Sequence, residues 1–273
     1  MKVLKVVFVG GGINSIAGYP HYSASRLDGR FELIGGVFSR NEDINLKSAE
    51  FYSAKLVARN LDELIELSKG MVDIAIVLTP TPFHFQHVET LLNAGLPVVC
   101  EKPLFKTYEE LLEFEKRVDI NNKFLVITYN YIAYPMVYEL RQMVVAGELG
   151  EIINVHLEMP QESFLRPPPK LDYPPWWRKE DGPIPTIILD LASHLFSLSY
   201  YITGMKIVKV KPALKKYSKY GVVDEVKGII EYEGGLLDLC GLVKWRWETE
   251  MGSRFPYTVQ KHLRCGFKKS QTS

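Results

Sequence analysis

In the first half of the chain, apolar residues come in short unbroken runs, each closing on glycine or proline or passing into polar residues. Residues 3–10 (VLKVVFVG), 31–39 (FELIGGVFS), 72–80 (VDIAIVLTP), 96–103 (LPVVCEKP) and 123–130 (KFLVITYN) have strand length and are rich in Val, Ile and Leu. Between them, residues 13–29, 60–70, 84–95 and 107–122 carry helical spacing, with Gly70 and Gly95 placed as helix stops. A strand that is apolar at consecutive positions is covered on both faces. Such strands alternating with helices predict a doubly wound parallel α/β sheet over residues 1–128.

The pattern changes near residue 150. Residues 151–161 (EIINVHLEMPQ) alternate in part, as a strand with one wet face does. A proline-rich connection over 166–185 leads to one apolar helix, residues 186–204 (TIILDLASHLFSLSYYITG). Three further strands are expected at 206–217, 224–235 and 236–247, with Gly234-Gly235 as a tight turn. The simplest account is a second α+β domain over 129–250 with a mainly antiparallel sheet. After Glu250 the chain has no acidic residue and no clear periodicity, so 251–273 is expected to be a basic, weakly ordered tail.

Composition narrows the classes. Of 273 residues 47% are hydrophobic and 24% charged, which suits globular domains, and a net charge of +1 gives nucleic acid or an anionic membrane no basic field to find. No run approaches the roughly 20 apolar residues of a membrane helix. Cys100, Cys240 and Cys265 are sparse, odd in number and without metal-binding spacing. A cytoplasmic chain with no resident metal is expected.

Candidate chemistry lies where parallel strands end, because loops there line the ligand crevice. After the first strand, Gly10 allows a tight turn and Gly12 a close approach to a pyrophosphate, with Ile13 and Asn14 completing the turn and Ser15 at the small-residue position of a dinucleotide fingerprint. After the second strand stand Ser39 and Arg40, where an NAD site usually has an acid; a hydroxyl and a guanidinium favour the 2′-phosphate of NADP, unless Arg40 is merely solvated. Thr79 and Pro80 end the next strand. His84 either contacts a cofactor or is satisfied by backbone, and His87 is expected to be structural or exposed. Glu101-Lys102-Pro103 ends the strand after that. Lys102 is either a proton-handling group beside a cofactor or half of a surface Glu–Lys pair. In the later helix, Asp190 and His194 are four apart, on one helix face, as a buried structural pair or an acid–base pair.

The series GGGINS, TPTPFH, EKP, TYNY and DLASH resembles the Gfo/Idh/MocA family of NAD(P)-dependent oxidoreductases, over most of the chain to about Trp247. The resemblance implies Lys102, Asp190 and His194 as the catalytic group, Glu101 near the nicotinamide ribose, and Asn130 near nicotinamide or substrate. It further implies hydride transfer between NAD or NADP and a sugar or cyclitol, and a second sheet that pairs between subunits as a homo-oligomer. Relatives continue past residue 250 with further sheet and a closing helix, so the substrate domain is expected to be truncated. The rival reading is a non-catalytic NAD(P)-binding regulator on the same fold.

Overall fold

A computed structural model describes residues 2–161, 164, 175–243 and 262–268. The chain divides into two compact units, Met1–Thr128 and Tyr129–Ser273.

The first unit is a six-stranded sheet in the order β3-β2-β1-β4-β5-β6. Its strands are β1 (Leu4–Gly10), β2 (Phe31–Val37), β3 (Leu56–Val57), β4 (Ile74–Leu78), β5 (Val98–Glu101) and β6 (Leu125–Thr128), and every pairing is parallel. The helices are α1 (Gly18–Arg26), α2 (Glu42–Tyr52), α3 (Leu61–Ser68), α4 (His84–Asn93) and α5 (Tyr108–Arg117). Side chains alternate across a strand, so β1 feeds two cores. Val7 and Val9 join Leu64, Val88, Leu91, Leu92 and Phe114 from α3, α4 and α5. Val6 and Phe8 join Phe38, Ala49 and Tyr52 on the α2 side. That is why the run Val6–Val9 is continuously apolar. Helix starts follow side-chain caps: Asn41, Asn60 and Thr107 each accept a backbone N–H three residues on.

The second unit opens with α6 (Pro135–Val145) and contains α7 (Ser193–Thr203) and β7 (Glu151–Pro160), β8 (Ile207–Lys215), β9 (Glu225–Tyr232), β10 (Leu237–Val243) and β11 (His262–Lys268). The sheet order is β11-β7-β10-β9-β8; three pairings are antiparallel, while β7 and β10 run parallel. Val155, Leu157 and Met159 of β7, with Ile230 and Tyr232 of β9 and Leu242 of β10, pack against Leu191 and Leu195. Ile229, Leu237 and Leu239 are exposed.

Three expectations change. The tail expected after residue 250 contains β11, an edge strand on β7; His262-Leu-Arg-Cys-Gly-Phe-Lys268 does alternate, with a register break at Gly266/Phe267 that hides it. The helix expected over 186–204 is not one α-helix: Ile188–Ala192 is a π turn, with Ser193 N–H bonded to Ile188 O, before α7 begins. Helices α2 and α6 were not anticipated. Most of the proline-rich connection, with Trp245, Trp247 and residues 251–261 and 269–273, lies outside the described residues. Among the described residues no helix is long and apolar enough to cross a membrane.

Phe8 is fully buried and meets the rings of Phe38 and Tyr52 edge-on. Phe8→Ala should cost about 3–5 kcal/mol in chemical denaturation. Hydrogen exchange should show slowed backbone amides within His262–Lys268 that loosen when β7 is disrupted.

Candidate functional site

In the first unit, the carboxyl ends of β1, β2, β4, β5 and β6 share one edge. Gly10 and Gly11 both take positive φ, which turns the chain out of β1. A seven-residue loop then precedes α1, so the fingerprint spacing read from Gly10, Gly12 and Ser15 does not hold. A Cβ at Gly18 would collide with the Gly11 carbonyl and come within 2.6 Å of the Tyr52 hydroxyl. Gly18, not Ser15, is therefore the residue that must be small for helix to meet strand. The Gly12 amide donates to Phe38 O at 3.2 Å and the Ile13 amide to Ser48 Oγ at 3.0 Å, which anchors the loop instead of leaving those donors for a phosphate. Ile13 and Asn14 are exposed at the loop tip. Helix α1 has no capping side chain and no acid in its first turn. Its N-terminal amides thus suit an anion, and the close approach at Gly18 lets α1 pack tightly on the turn after β1.

At the end of β2, Asn45 Oδ1 accepts the Phe38 amide at 2.7 Å and the Ser39 amide at 3.3 Å. The Ser39 hydroxyl accepts the Asn41 amide. Arg40 is exposed, its guanidinium 5.1 Å from the ring centre of Phe83 in the loop after β4.

His84 does not offer a nitrogen to a ligand. It is 1% exposed; Nδ1 lies 2.9 Å from Pro103 O and 3.2 Å from Leu104 O, and Nε2 lies 2.7 Å from Thr79 O. The ring ties the β4 loop to the β5 loop, so the backbone-satisfied alternative holds. His87 is half-buried, stacks on Phe83, and meets the Thr79 hydroxyl at 3.0 Å. Burial, aided by the nearby charge of His84, pushes its pKa down to about 4. His84 is also depressed by burial, against the pull of its three carbonyl partners and Glu101.

The Glu101 carboxylate accepts from Thr128 Oγ1 at 2.9 Å, and His21 Nε2 lies 2.7 Å from the same oxygen. Burial disfavours its charge, but His21, Thr128 and Lys102 more than offset this and hold its pKa below the usual range. Lys102 is half-buried, adds its charge to this group, and forms a cis peptide with Pro103.

In the second unit, Asp190 and His194 are 7% and 5% exposed. The Arg178 guanidinium donates to Asp190 Oδ1 at 2.8 Å and lies 4.6 Å from the Trp177 ring centre. The His194 ring is 4.4 Å from that of Tyr131 and 6.0 Å from that of Tyr129. Burial raises the pKa of both tyrosines, so they stay as hydroxyls at neutral pH. Asn130 is exposed on the 3-10 turn between the two tyrosines, and Trp176 is exposed beside Trp177. Sequence reasoning missed His21, Gly18, Thr128 and Arg178. Only Arg178, in the rare context Trp-Trp-Arg, carried a local signal.

Residues 4–129 match the oxidoreductase family with an NAD-binding Rossmann fold, and residues 137–259 match the GFO/IDH/MocA C-terminal domain. The chain belongs to the Gfo/Idh/MocA family. The uncharacterized oxidoreductase YfiI of Bacillus subtilis is 27% identical over 249 residues, which cover 86% of this chain and 63% of that protein. The scyllo-inositol 2-dehydrogenase (NADP(+)) IolW of B. subtilis is 27% identical over 168 residues, 61% of this chain and 43% of that one. The inositol dehydrogenase homolog from Azotobacter vinelandii, solved with NAD+, superposes with a TM-score of 0.83 at 27% identity, covering 91% of this chain and 66% of that one. The same homolog solved with NADH and myo-inositol gives 0.81. The chain thus spans under two thirds of the length of these relatives.

Two outcomes test this geometry. Gly18→Ala should weaken NADH binding by about tenfold or more in calorimetric titration, because the helix must shift off the turn. For pH, the unfolded His87 titrates near 6.5 and the folded one near 4, so the unfolded state binds more protons in between. Stability is therefore full above about pH 6.5 and lost as pH falls toward about 4. His84, also depressed by burial, adds in the same sense as pH falls below 6.5, and Glu101 adds a further loss only at lower pH, below the usual carboxylate range. Thermal unfolding midpoints should fall over that window, and less so in His87→Asn.

Proposed function

We propose that the chain is an NAD(P)-dependent dehydrogenase acting on a CH–OH group of a cyclitol or sugar. The single observation that supports this is the burial of Asp190 and His194, with Arg178 on Asp190 and the Tyr129 and Tyr131 rings on His194; with Lys102 after β5, these are the residues that the family resemblance assigns to catalysis. The dinucleotide is assigned to the N-terminus of α1 and the loops of Ile13, Asn14, Ser39, Arg40, Thr79 and Pro80, with Glu101 and Asn130 toward the nicotinamide end. When bound, the nicotinamide supplies the hydride acceptor or donor. Lys102 donates a hydrogen bond to the substrate oxygen and lowers the cost of its negative charge. His194 takes the hydroxyl proton as the alcohol is oxidised and returns it in the reverse direction. Asp190, held by Arg178, orients the substrate hydroxyls and the histidine.

Inositols are the first substrates to try, since relatives named above act on or bind them. Nicotinamide absorbance should change with at least one of a panel of inositols and hexoses. Lys102→Ala and His194→Ala should each lower turnover by about 10²–10⁴ while cofactor affinity stays within a few fold. Cofactor binding without turnover on any polyol would instead favour a non-catalytic regulator.

Arg40 and Ser39, with no acid at the end of β2 itself, favour NADP(H), although Glu42 and Asp43 follow in the first turn of α2. Arg40→Ala should weaken NADPH by about tenfold and NADH far less, read by competitive titration; a clear NADH preference in the unmodified protein contradicts this. We assign self-association to the open face of the second sheet, where Ile229, Leu237 and Leu239 stand exposed around His156 and Asp238. Leu239→Glu should lower the mass seen by light scattering.

A further inference from the structure

The Glu101 carboxylate is gripped by two groups to which nothing above assigns a part in the chemistry. His21 lies on α1, three residues after Gly18, and its Nε2 is 2.7 Å from Glu101 Oε1. Thr128, the last residue of β6, donates to the same oxygen at 2.9 Å. Both side chains of the His21–Glu101 pair are largely shielded, at 18% and 24% exposure. The contact spans 80 positions of sequence. It joins α1, the helix to which the pyrophosphate is assigned above, to the residue immediately before Lys102. Both contacts fall on the same oxygen, Oε1.

We propose that His21 is a positioning residue, which by holding Glu101 Oε1 sets the Glu101-Lys102 turn in a fixed frame with the N-terminus of α1, so that a bound dinucleotide meets both in register. This rests on the dinucleotide reading above and names a device within that site. A carboxylate is acceptor-only when ionised, so the bond requires the imidazole tautomer protonated at Nε2, or the imidazolium. Such a charge-assisted bond in a shielded place orients the carboxylate more strictly than Thr128 alone. Oxygen Oε2 of Glu101 then stands ready for a ribose hydroxyl without a search among rotamers, and affinity gains from that pre-organisation.

The test is a double-mutant cycle on NADH and NADPH affinity, by calorimetric titration of the full chain, with folding checked by circular dichroism. His21→Ala should weaken binding by about tenfold, and His21→Gln should recover most of the loss, because its amide N–H can donate to the same oxygen. In a Glu101→Ala background, which leaves His21 no acceptor, His21→Ala should cost less than about twofold more, since the pair acts as a unit. A brace that acts only on stability would lower the unfolding midpoint without this coupling. The proposal is overturned if His21→Ala binds within about twofold of wild type, or if the two losses simply multiply. Should His21→Ala fail to fold, the comparison passes to His21→Gln and the shorter His21→Asn. Equal affinity in those two overturns the proposal, and a loss of about tenfold in Asn alone supports it. A wild type that binds neither dinucleotide sinks the cofactor reading itself, and this proposal with it, which is distinct from tight wild-type binding that His21→Ala leaves untouched.

Discussion

A parallel sheet delivers all its strand carboxyl ends to one edge, and the chemistry proposed for the first unit depends on that constraint. The order β3-β2-β1-β4-β5-β6 reverses direction between β1 and β4, the place where open α/β sheets bind ligands. Residues scattered from Gly10 to Thr128 become neighbours for this reason alone. What the sheet does not fix, buried polar bonds do. His84 spends both ring nitrogens on carbonyls from two different loops, and Asn45 and Tyr52 bond the turns after β2 and β1. These loops are tied to one another, so the edge is a shaped surface. A half-buried Lys102 beside a held Glu101 fits that surface far better than a solvated lysine does.

The second unit solves a different problem. A carboxylate and an imidazole in an apolar helix are costly unless partnered. Arg178 reaches Asp190 from a separate turn, and Tyr129 and Tyr131 wall in His194. The π turn at Ile188–Ala192 widens the helix where Asp190 sits, an irregularity that recurs at functional sites. One face of the sheet is closed by Leu191 and Leu195, and the other carries exposed Ile229, Leu237 and Leu239.

Much of this was legible in the sequence because the signals were local. Continuous apolar runs such as Val6–Val9 announce strands buried on both faces, and EKP and DLASH are short and ordered. The misses have physical causes. The fingerprint at Gly10, Gly12 and Ser15 assumed a helix starting at once, whereas a loop delays it to Gly18. Helix α6 buries no residue fully, so its sequence shows no sharp apolar stripe. Strand β11 alternates, but its register break and the surrounding basic residues obscured it. The pairings His21–Glu101 and Arg178–Asp190 are set by tertiary geometry, which no spacing rule reports.

The most direct measurement is a crystal structure of the chain with NADH or NADPH and an inositol. The pyrophosphate should lie at the N-terminus of α1 beside Gly18, Glu101 should face the nicotinamide ribose, and the Lys102 amine and His194 ring should both lie within hydrogen-bond reach of one substrate hydroxyl. A dinucleotide bound elsewhere, or Lys102 and His194 directed to opposite sides of the substrate, would contradict this arrangement.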